Sequence, residues 1–316
     1  MMNLINVNCD LCDNNNYVLN FRGRDYRFGR KENYNVVKCN NCGLSYVNPR
    51  PAPEVINKLY IEDYTAEDNA LIIPEMGNKH WKKILERVWH KINGQYIDEI
   101  FYNAKGRVLD IGCWNGYLLL PLRKKGCEVY GIETNPKYVD VCQQLGLNVF
   151  CGTLKDARFP DQFFDTVIMS QVVEHLASPK ETMREIKRIL RSEGKVLVFC
   201  PNAESYLSKF FGKYWHGWHI PFHFYAFTKK TIQRLAKETG FVEKRIRAVT
   251  PDHFFIISLK SYLFGEKNYN KKPLERGKFL DSFFFRAAIS PIFRILDLVL
   301  FGKGDCLRVV LRKVQN

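Results

Sequence analysis

Between residues 106 and 202 the chain repeats one pattern: a short apolar run, a turn rich in glycine or polar residues, then a stretch with helical spacing. The apolar runs Val108–Ile111, Val129–Glu133 and Asn148–Cys151 predict three strands, Phe163–Ser170 a fourth, and Lys195–Asn202 a fifth that ends in a proline turn. Lys180–Leu190 predicts a helix that Ser192-Glu193-Gly194 stops. Thr228 caps a further helix, Lys229–Glu238, which Gly240 ends, and strands are expected at Phe241–Val249 and Cys306–Val314. Strands alternating with helices imply a parallel sheet covered on both faces, an α/β fold. Upstream, Glu54–Tyr60 predicts a short helix. Lys79–Phe101 predicts a longer one, because Ile84, Leu85, Val88, Trp89, Ile92, Tyr96, Ile97 and Ile100 keep the spacing of a core-facing side.

The first of these strands leads into the most informative turn. Asp110 is followed by Gly112 and Gly116, which let the backbone bend sharply and a ligand approach the main chain. Amides at the helix start beyond them offer a partial positive end to a carboxylate or hydroxyl. The dinucleotide fingerprint G-x-G-x-x-G has no acid in its turn, since pyrophosphate would be repelled. An acid here predicts a nucleotide-like ligand carrying positive charge nearby, and makes a dehydrogenase a distant reading.

The segment from Asp110 to Gly116 resembles the first motif, D/E-x-G-x-G-x-G, of the class I S-adenosylmethionine-dependent methyltransferases, with Trp114 where the central glycine usually stands. The resemblance implies a Rossmann-like seven-stranded methyltransferase sheet, parallel except for an antiparallel last strand, with S-adenosylmethionine as cofactor. It places Asp110, Gly112, Cys113 and Gly116 at the cofactor. Glu133, 23 residues after Asp110 at the next strand end, would accept hydrogen bonds from the ribose hydroxyls, with Thr134 beside it. Thr153 and Leu154 follow the third strand, where relatives contact adenine. Phe163 to Leu176 resembles the family's FDxVxxxxVxEH segment, which brings Ser170, Gln171 and His175 to the strand's carboxyl end. His175 either orients a ligand or bonds to backbone at a helix start. The N-P-P-[YF] signature of exocyclic-base methylases does not follow this strand.

At 316 residues the chain can hold one full-sized α/β domain plus small additions, and 46% hydrophobic content fits a globular protein. Residues 1–20 are polar and lack the apolar core of a signal peptide. Of ten cysteines, four form two C-x-x-C pairs, Cys9/Cys12 and Cys39/Cys42, and six are scattered, which suits a reducing cytoplasm. The two pairs, 26 residues apart, match four thiolates for one tetrahedral structural Zn²⁺ in a ribbon-like module whose hairpin would use Tyr17–Phe21 and Tyr34–Lys38. A redox pair or free thiols are the alternatives. Asn48 to Pro53, with three prolines, reads as a stiff linker. In the methyltransferase subgroup that this amino-terminal region resembles, which modifies sugars and other small acceptors, tyrosines placed like Tyr60 and Tyr64 cover the cofactor; simple packing is the other reading.

Residues 214–228 crowd three histidines among aromatics without helix or strand periodicity, and so read as a loop near the strand ends. The resemblance places His223 near the acceptor as base or positioner, with His219 and His216 weaker candidates. A metal held by His216, His219 and His223 would lack a carboxylate or cysteine partner within this loop.

The net charge of +15 favours polyanionic partners, and 12 basic against 5 acidic residues lie between Lys260 and Asn316. The stretches Phe254–Phe264 and Phe279–Phe301 are rich in Phe, Ile and Leu, but Asp281, Arg286, Arg294 and Asp297 interrupt the second, so no unbroken apolar run is long enough to span a bilayer. With Lys271, Lys272, Arg276 and Lys278 beside them, residues 254–301 suit peripheral contact with an anionic membrane or a lipid-linked acceptor; burial on the core or against a second copy is the alternative.

The expected organisation is a zinc-ribbon-like module at 1–50, a linker and helical cap at 51–105, a cofactor-binding core at 106–250 with an acceptor loop at 213–228, an insertion at 251–304, and the final strand at 305–316. The expected activity is methyl transfer to a sugar or other small, lipid-attached acceptor, at its hydroxyl, amine or carbon. An RNA methyltransferase, whose binding would weaken steeply with salt, and a non-catalytic zinc-containing binding protein are the competing readings.

Overall fold

A computed structural model describes residues 3–67, 88–95, 97–265 and 277–314, without the side chains of 62–67. Seven strands form the central sheet: β1 (Arg107–Ile111), β2 (Glu128–Glu133), β3 (Asn148–Cys151), β4 (Phe164–Ser170), β5 (Leu190–Pro201), β6 (Phe241–Val249) and β7 (Cys306–Lys313). Their order is β6-β7-β5-β4-β1-β2-β3. β1 pairs in parallel with β2 and β4, β2 with β3, and β4 with β5, whereas β7 runs antiparallel to both β5 and β6. The strand order reverses between β1 and β4. In an open α/β sheet the crevice at such a point, beyond the strands' carboxyl ends, receives the ligand.

Side chains of successive residues on β1 enter different cores, as strand alternation requires: Leu109 and Ile111 join one apolar cluster and Val108 another. Burial on both faces explains why β1, β4 and β5 read as nearly continuous apolar runs. The helix Lys229–Glu238 and strand β6 have the expected bounds, while β5 begins at Leu190 because the helix before it stops at Ile189.

The amino-terminal residues make a four-stranded sheet from Tyr17–Arg24, Asn33–Cys39 and Ser45–Val47, completed by Tyr225–Ala226 from the histidine-rich segment. That segment is therefore not a plain loop; it carries two short 3-10 turns and an edge strand. Cys9, Leu11, Val37, Cys39 and Tyr46 pack in the same apolar cluster as Leu109, Met169 and Val198, so residues 1–50 share the core of the large sheet. Asn48 to Pro53 also differs from expectation. Arg50–Pro51 pairs with Leu4–Ile5, and Asn48 accepts a bond from the Val7 amide at 3.0 Å. Prolines exclude only the missing donors, not an edge bridge.

Residues 79–87 and 96 of the expected long helix lie outside the described residues. The rest is not one helix: a turn at Asn93-Gly94 separates a helical end at 88–92 from Ile97–Asn103. Gly94 has φ +73°, and a Cβ there would come within 2.6 Å of the Thr250 carbonyl oxygen. Close approach of β6's end stops the helix where spacing alone continued it.

Candidate active site

A cavity of about 970 Å³ opens at the carboxyl ends of β1, β2 and β4. One end is built by adjacent strand tips. Gly112 has φ +70°, and a Cβ on it would lie 2.7 Å from Val172, so the turn after β1 closes only with glycine. The amides of Gly112 and Cys113 donate to the Ile132 carbonyl at 2.8 and 3.0 Å, which ties this turn to β2. Trp114 adopts the left-handed conformation, φ +49°, at the position where the motif usually has glycine. That conformation disfavours an L side chain by about 1–2 kcal/mol. It is held by the Trp114 amide donating to Glu133 Oε2 at 3.0 Å and by edge contacts of the indole with Tyr117 and Tyr138.

Asp110 and Glu133 differ in how their carboxylates are held. Glu133 accepts the amides of Trp114, Thr134 and Asn135 at 2.8 to 3.0 Å; burial raises its pKa and these bonds oppose the rise. Asp110 is 1% exposed and neither oxygen has a hydrogen-bond partner. Burial, followed by the neighbouring Glu133 charge, pushes its pKa well above the usual carboxylate range. A buried carboxyl without a partner, facing a cavity, fits a ligand that brings donors or positive charge.

Thr134, Thr153, Leu154, Ser170, Gln171 and His175 also line this cavity. Cys113 does not: it is buried in the apolar cluster behind the turn, as strand and turn geometry send its side chain inward. Gly116, φ +78°, shapes the turn from outside the cavity wall.

The other end is assembled from distant segments. His216, His219, His223, His253, Phe254, Tyr60 and Arg27 line it together with His175. The Tyr60 ring stands edge-on to His175 at 6.4 Å, and the side chain of Tyr64 lies outside the described residues. His253, Phe254 and Arg27 escape a reading of the sequence, because only tertiary packing brings the insertion helix and the amino-terminal hairpin turn to the cavity. The nearest sequence signal is the Pro251-Asp252-His253 helix start just after β6.

Burial lowers the pKa of His175 to about 4 and that of His216, His219 and His223 well below the usual histidine range; Arg27 and neighbouring imidazoles add to the effect. The rings are therefore neutral. His175 Nδ1 lies 3.0 Å from the Phe222 carbonyl oxygen and His223 Nδ1 2.8 Å from that of Gly217. A neutral imidazole facing a carbonyl carries its proton on that nitrogen, which leaves Nε2 as an acceptor in both rings. Beneath them Glu174 is fully buried with both oxygens unpartnered, and burial raises its pKa to about 8. One donor atom from each of Glu174, His175 and His223 lies within 4.8 Å of the other two. The carboxylate absent from the histidine segment itself, Glu174, comes from the turn after β4.

The cysteine pairs converge as well. All four sulfurs lie within 4.8 Å of one another, with Cys9 to Cys42 at 3.4 Å and Cys12 to Cys39 at 3.5 Å. Four thiolates around a tetrahedral zinc are about 3.8 Å apart, so the cluster fits the ion. The amino-terminal residues brace the histidine end directly. Asp10 accepts bonds from the Ser178 hydroxyl at 2.6 Å and the Lys180 amide at 2.9 Å, and Arg50 donates to Tyr225 Oη and the Ala177 carbonyl, both at 3.0 Å.

Residues 82–243 match a family described as a methyltransferase domain. The chain belongs to this family. Among curated relatives, the methyltransferase is 28% identical over 107 residues to an uncharacterized protein of Methanocaldococcus jannaschii, covering 34% of this chain and 50% of that one. It is 31% identical over 119 residues to a ubiquinone biosynthesis O-methyltransferase of Cereibacter sphaeroides, covering 34% and 47%. The match thus spans about half the length of these relatives. Among solved structures, the fold resembles a possible histamine N-methyltransferase of Thermotoga maritima (TM-score 0.51, 16% identity, covering 82% of this chain and 99% of that one). It also resembles the [4+2]-cyclase SpnF (TM-score 0.54, 16% identity, covering 84% and 98%), so the architecture alone does not set the reaction.

Proposed function

We propose that this methyltransferase moves the methyl group of S-adenosylmethionine to a hydroxyl or amine of a small acceptor, a sugar or a lipid-linked glycan or isoprenoid. The observation that carries the reading is the polarity of one cavity: a partnerless buried Asp110 beside Glu133 at one end, and neutral imidazoles at the other. Asp110 pairs with the positive charge of the methionine moiety, and the spare acceptor capacity of Glu133 receives ribose hydroxyls. The bound cofactor supplies a methyl carbon already activated by its sulfonium.

What remains for the protein is alignment, exclusion of water and proton removal. His223 takes the acceptor's proton on Nε2 while Gly217 holds the ring through Nδ1, and Glu174 and His175 form the buried cluster behind it. The cofactor would leave as S-adenosylhomocysteine, keeping the electron pair of its carbon–sulfur bond, so these residues need only align the acceptor atom and take its proton. We further propose that Cys9, Cys12, Cys39 and Cys42 hold a structural zinc, and that the insertion at 254–301 makes peripheral contact with an anionic membrane.

The test is S-adenosylhomocysteine formation when the protein is mixed with S-adenosylmethionine and either sugar nucleotides or lipid-linked saccharides. Product from either class supports the reading. Product only with RNA would replace the acceptor, and failure to bind S-adenosylhomocysteine at all would sink the activity.

A further inference from the structure

The insertion between β6 and β7 carries a helix, Phe283–Val299, whose amphipathicity is inverted. Its polar residues point into the protein. Arg286 makes a two-pronged ion pair with fully buried Asp252 at 2.8 and 3.1 Å, Ser290 is buried, and Arg294 donates to the Thr250 carbonyl. Asp297 accepts the Thr250 amide at 2.9 Å and its hydroxyl at 2.8 Å. With these four positions and Phe293 fixed inward, a second apolar set faces out: Phe284, Ile292, Ile295, Leu298 and Val299, with Phe301 just beyond the helix, are 54–89% exposed.

A soluble surface helix normally shows the opposite arrangement, and a contiguous apolar stripe of this length, about 25 Å along 17 residues, marks an interaction face. We infer that this face lies on an anionic lipid surface and holds the enzyme where a lipid-linked acceptor enters the cavity. The borders carry the matching charge: Lys278 is exposed at one end, Lys303, 3.8 Å from Glu204, at the other, and Lys209 is exposed beside Phe210 on the helix Tyr206–Phe211. Acids near the face are neutralised, Asp281 by Lys260 at 2.6 Å and Asp297 by its inward bonds. Two copies meeting through this face would bring like charges together on chains of net charge +15, whereas anionic headgroups balance them.

No helix among the described residues is long and apolar enough to cross a membrane, so the contact is peripheral. It also reaches the site. The helix packs on Asp252–Phe264 through Phe293 against Phe255, with ring centres 5.1 Å apart, and His253 and Phe254 at the start of that second helix line the acceptor end of the cavity. Docking itself stands on the surface alone; the lipid-linked acceptor rests on the methyl-transfer reading.

The experiment is flotation of the full chain with vesicles of phosphatidylcholine alone or with phosphatidylglycerol, comparing wild type with the double variant Leu298→Glu, Phe301→Glu. Both positions are exposed, so folding is checked simply by S-adenosylhomocysteine binding, which should match wild type. Wild type should float with anionic vesicles, at least tenfold less in high salt or in the double variant. Equal binding to neutral vesicles, equal binding by the double variant, or a stable dimer in light scattering that ignores vesicles would overturn the docking. Vesicle binding without S-adenosylhomocysteine binding would leave the docking standing and overturn the methyl-transfer reading with its lipid-linked acceptor.

Discussion

The two ends of the cavity are built in different ways. The Asp110 end comes from two adjacent parallel strands and the turns that follow them, all between residues 110 and 134. The histidine end joins a turn of the amino-terminal hairpin, the end of β4, the 216–223 segment and the start of the insertion helix. One end is a local property of the chain, and the other is a property of packing. The local end is tied by hydrogen bonds between two neighbouring strand tips, Trp114 to Glu133 and Gly112 to Ile132, so it should survive changes elsewhere in the molecule. The packed end depends on braces such as Asp10 to Ser178, from the cysteine knuckle, and Arg50 to Ala177, from the strand paired with Leu4–Ile5.

The largest expected effect breaks that brace. Stripping the proposed zinc with a chelator, or Cys39→Ser, should remove a contribution of about 10–16 kcal/mol, its scale in zinc-finger peptides. Hydrogen exchange should then rise first at 171–178 and 216–226, while β1 and β2 keep their protection. Uniform loss of protection would mean that the two ends are not separable.

Next in size is His223→Ala. General-base removal typically lowers turnover about 10²–10⁴-fold, and affinity for S-adenosylhomocysteine should be nearly unchanged because His223 belongs only to the packed end. Equal turnover in both proteins would take the ring out of the mechanism.

The smallest effect is at the local end. Glu133→Ala should weaken cofactor binding by about 1–3 kcal/mol, the scale of leaving polar groups unpaired. It should also lower the melting temperature, since three amides lose their acceptor. Calorimetry showing unaltered affinity would confine Glu133 to a structural role.

The same division decides what the sequence discloses. Asp110, Gly112 and Glu133 are legible because strand ends and glycine turns impose fixed spacing, and the bounds of β3, β6 and the Lys229–Glu238 helix follow from turn and cap residues. Trp114 looked like a departure from the motif, yet its backbone takes the conformation a glycine would take. His253 and Arg27 were not legible, since no periodicity links the insertion or the hairpin turn to β4. Helical spacing likewise carried past Gly94, where contact with Thr250 ends the helix. The apolar character of 279–301 was plain from composition, but its inverted orientation required knowing which residues pair with Asp252 and Thr250.

The most direct measurement is titration calorimetry of S-adenosylmethionine into wild type and Asp110→Asn at several pH values. Binding a cation should ionise Asp110, whose pKa is raised in the unliganded protein, and so release a proton. Affinity in wild type should therefore climb as pH rises from the ordinary carboxylate range toward that raised value. The variant should bind about 10–100-fold more weakly, the scale of losing a charged hydrogen bond, and without that slope. One site per chain with this pH dependence is the predicted result; no binding, or equal binding by the variant at every pH, would contradict it.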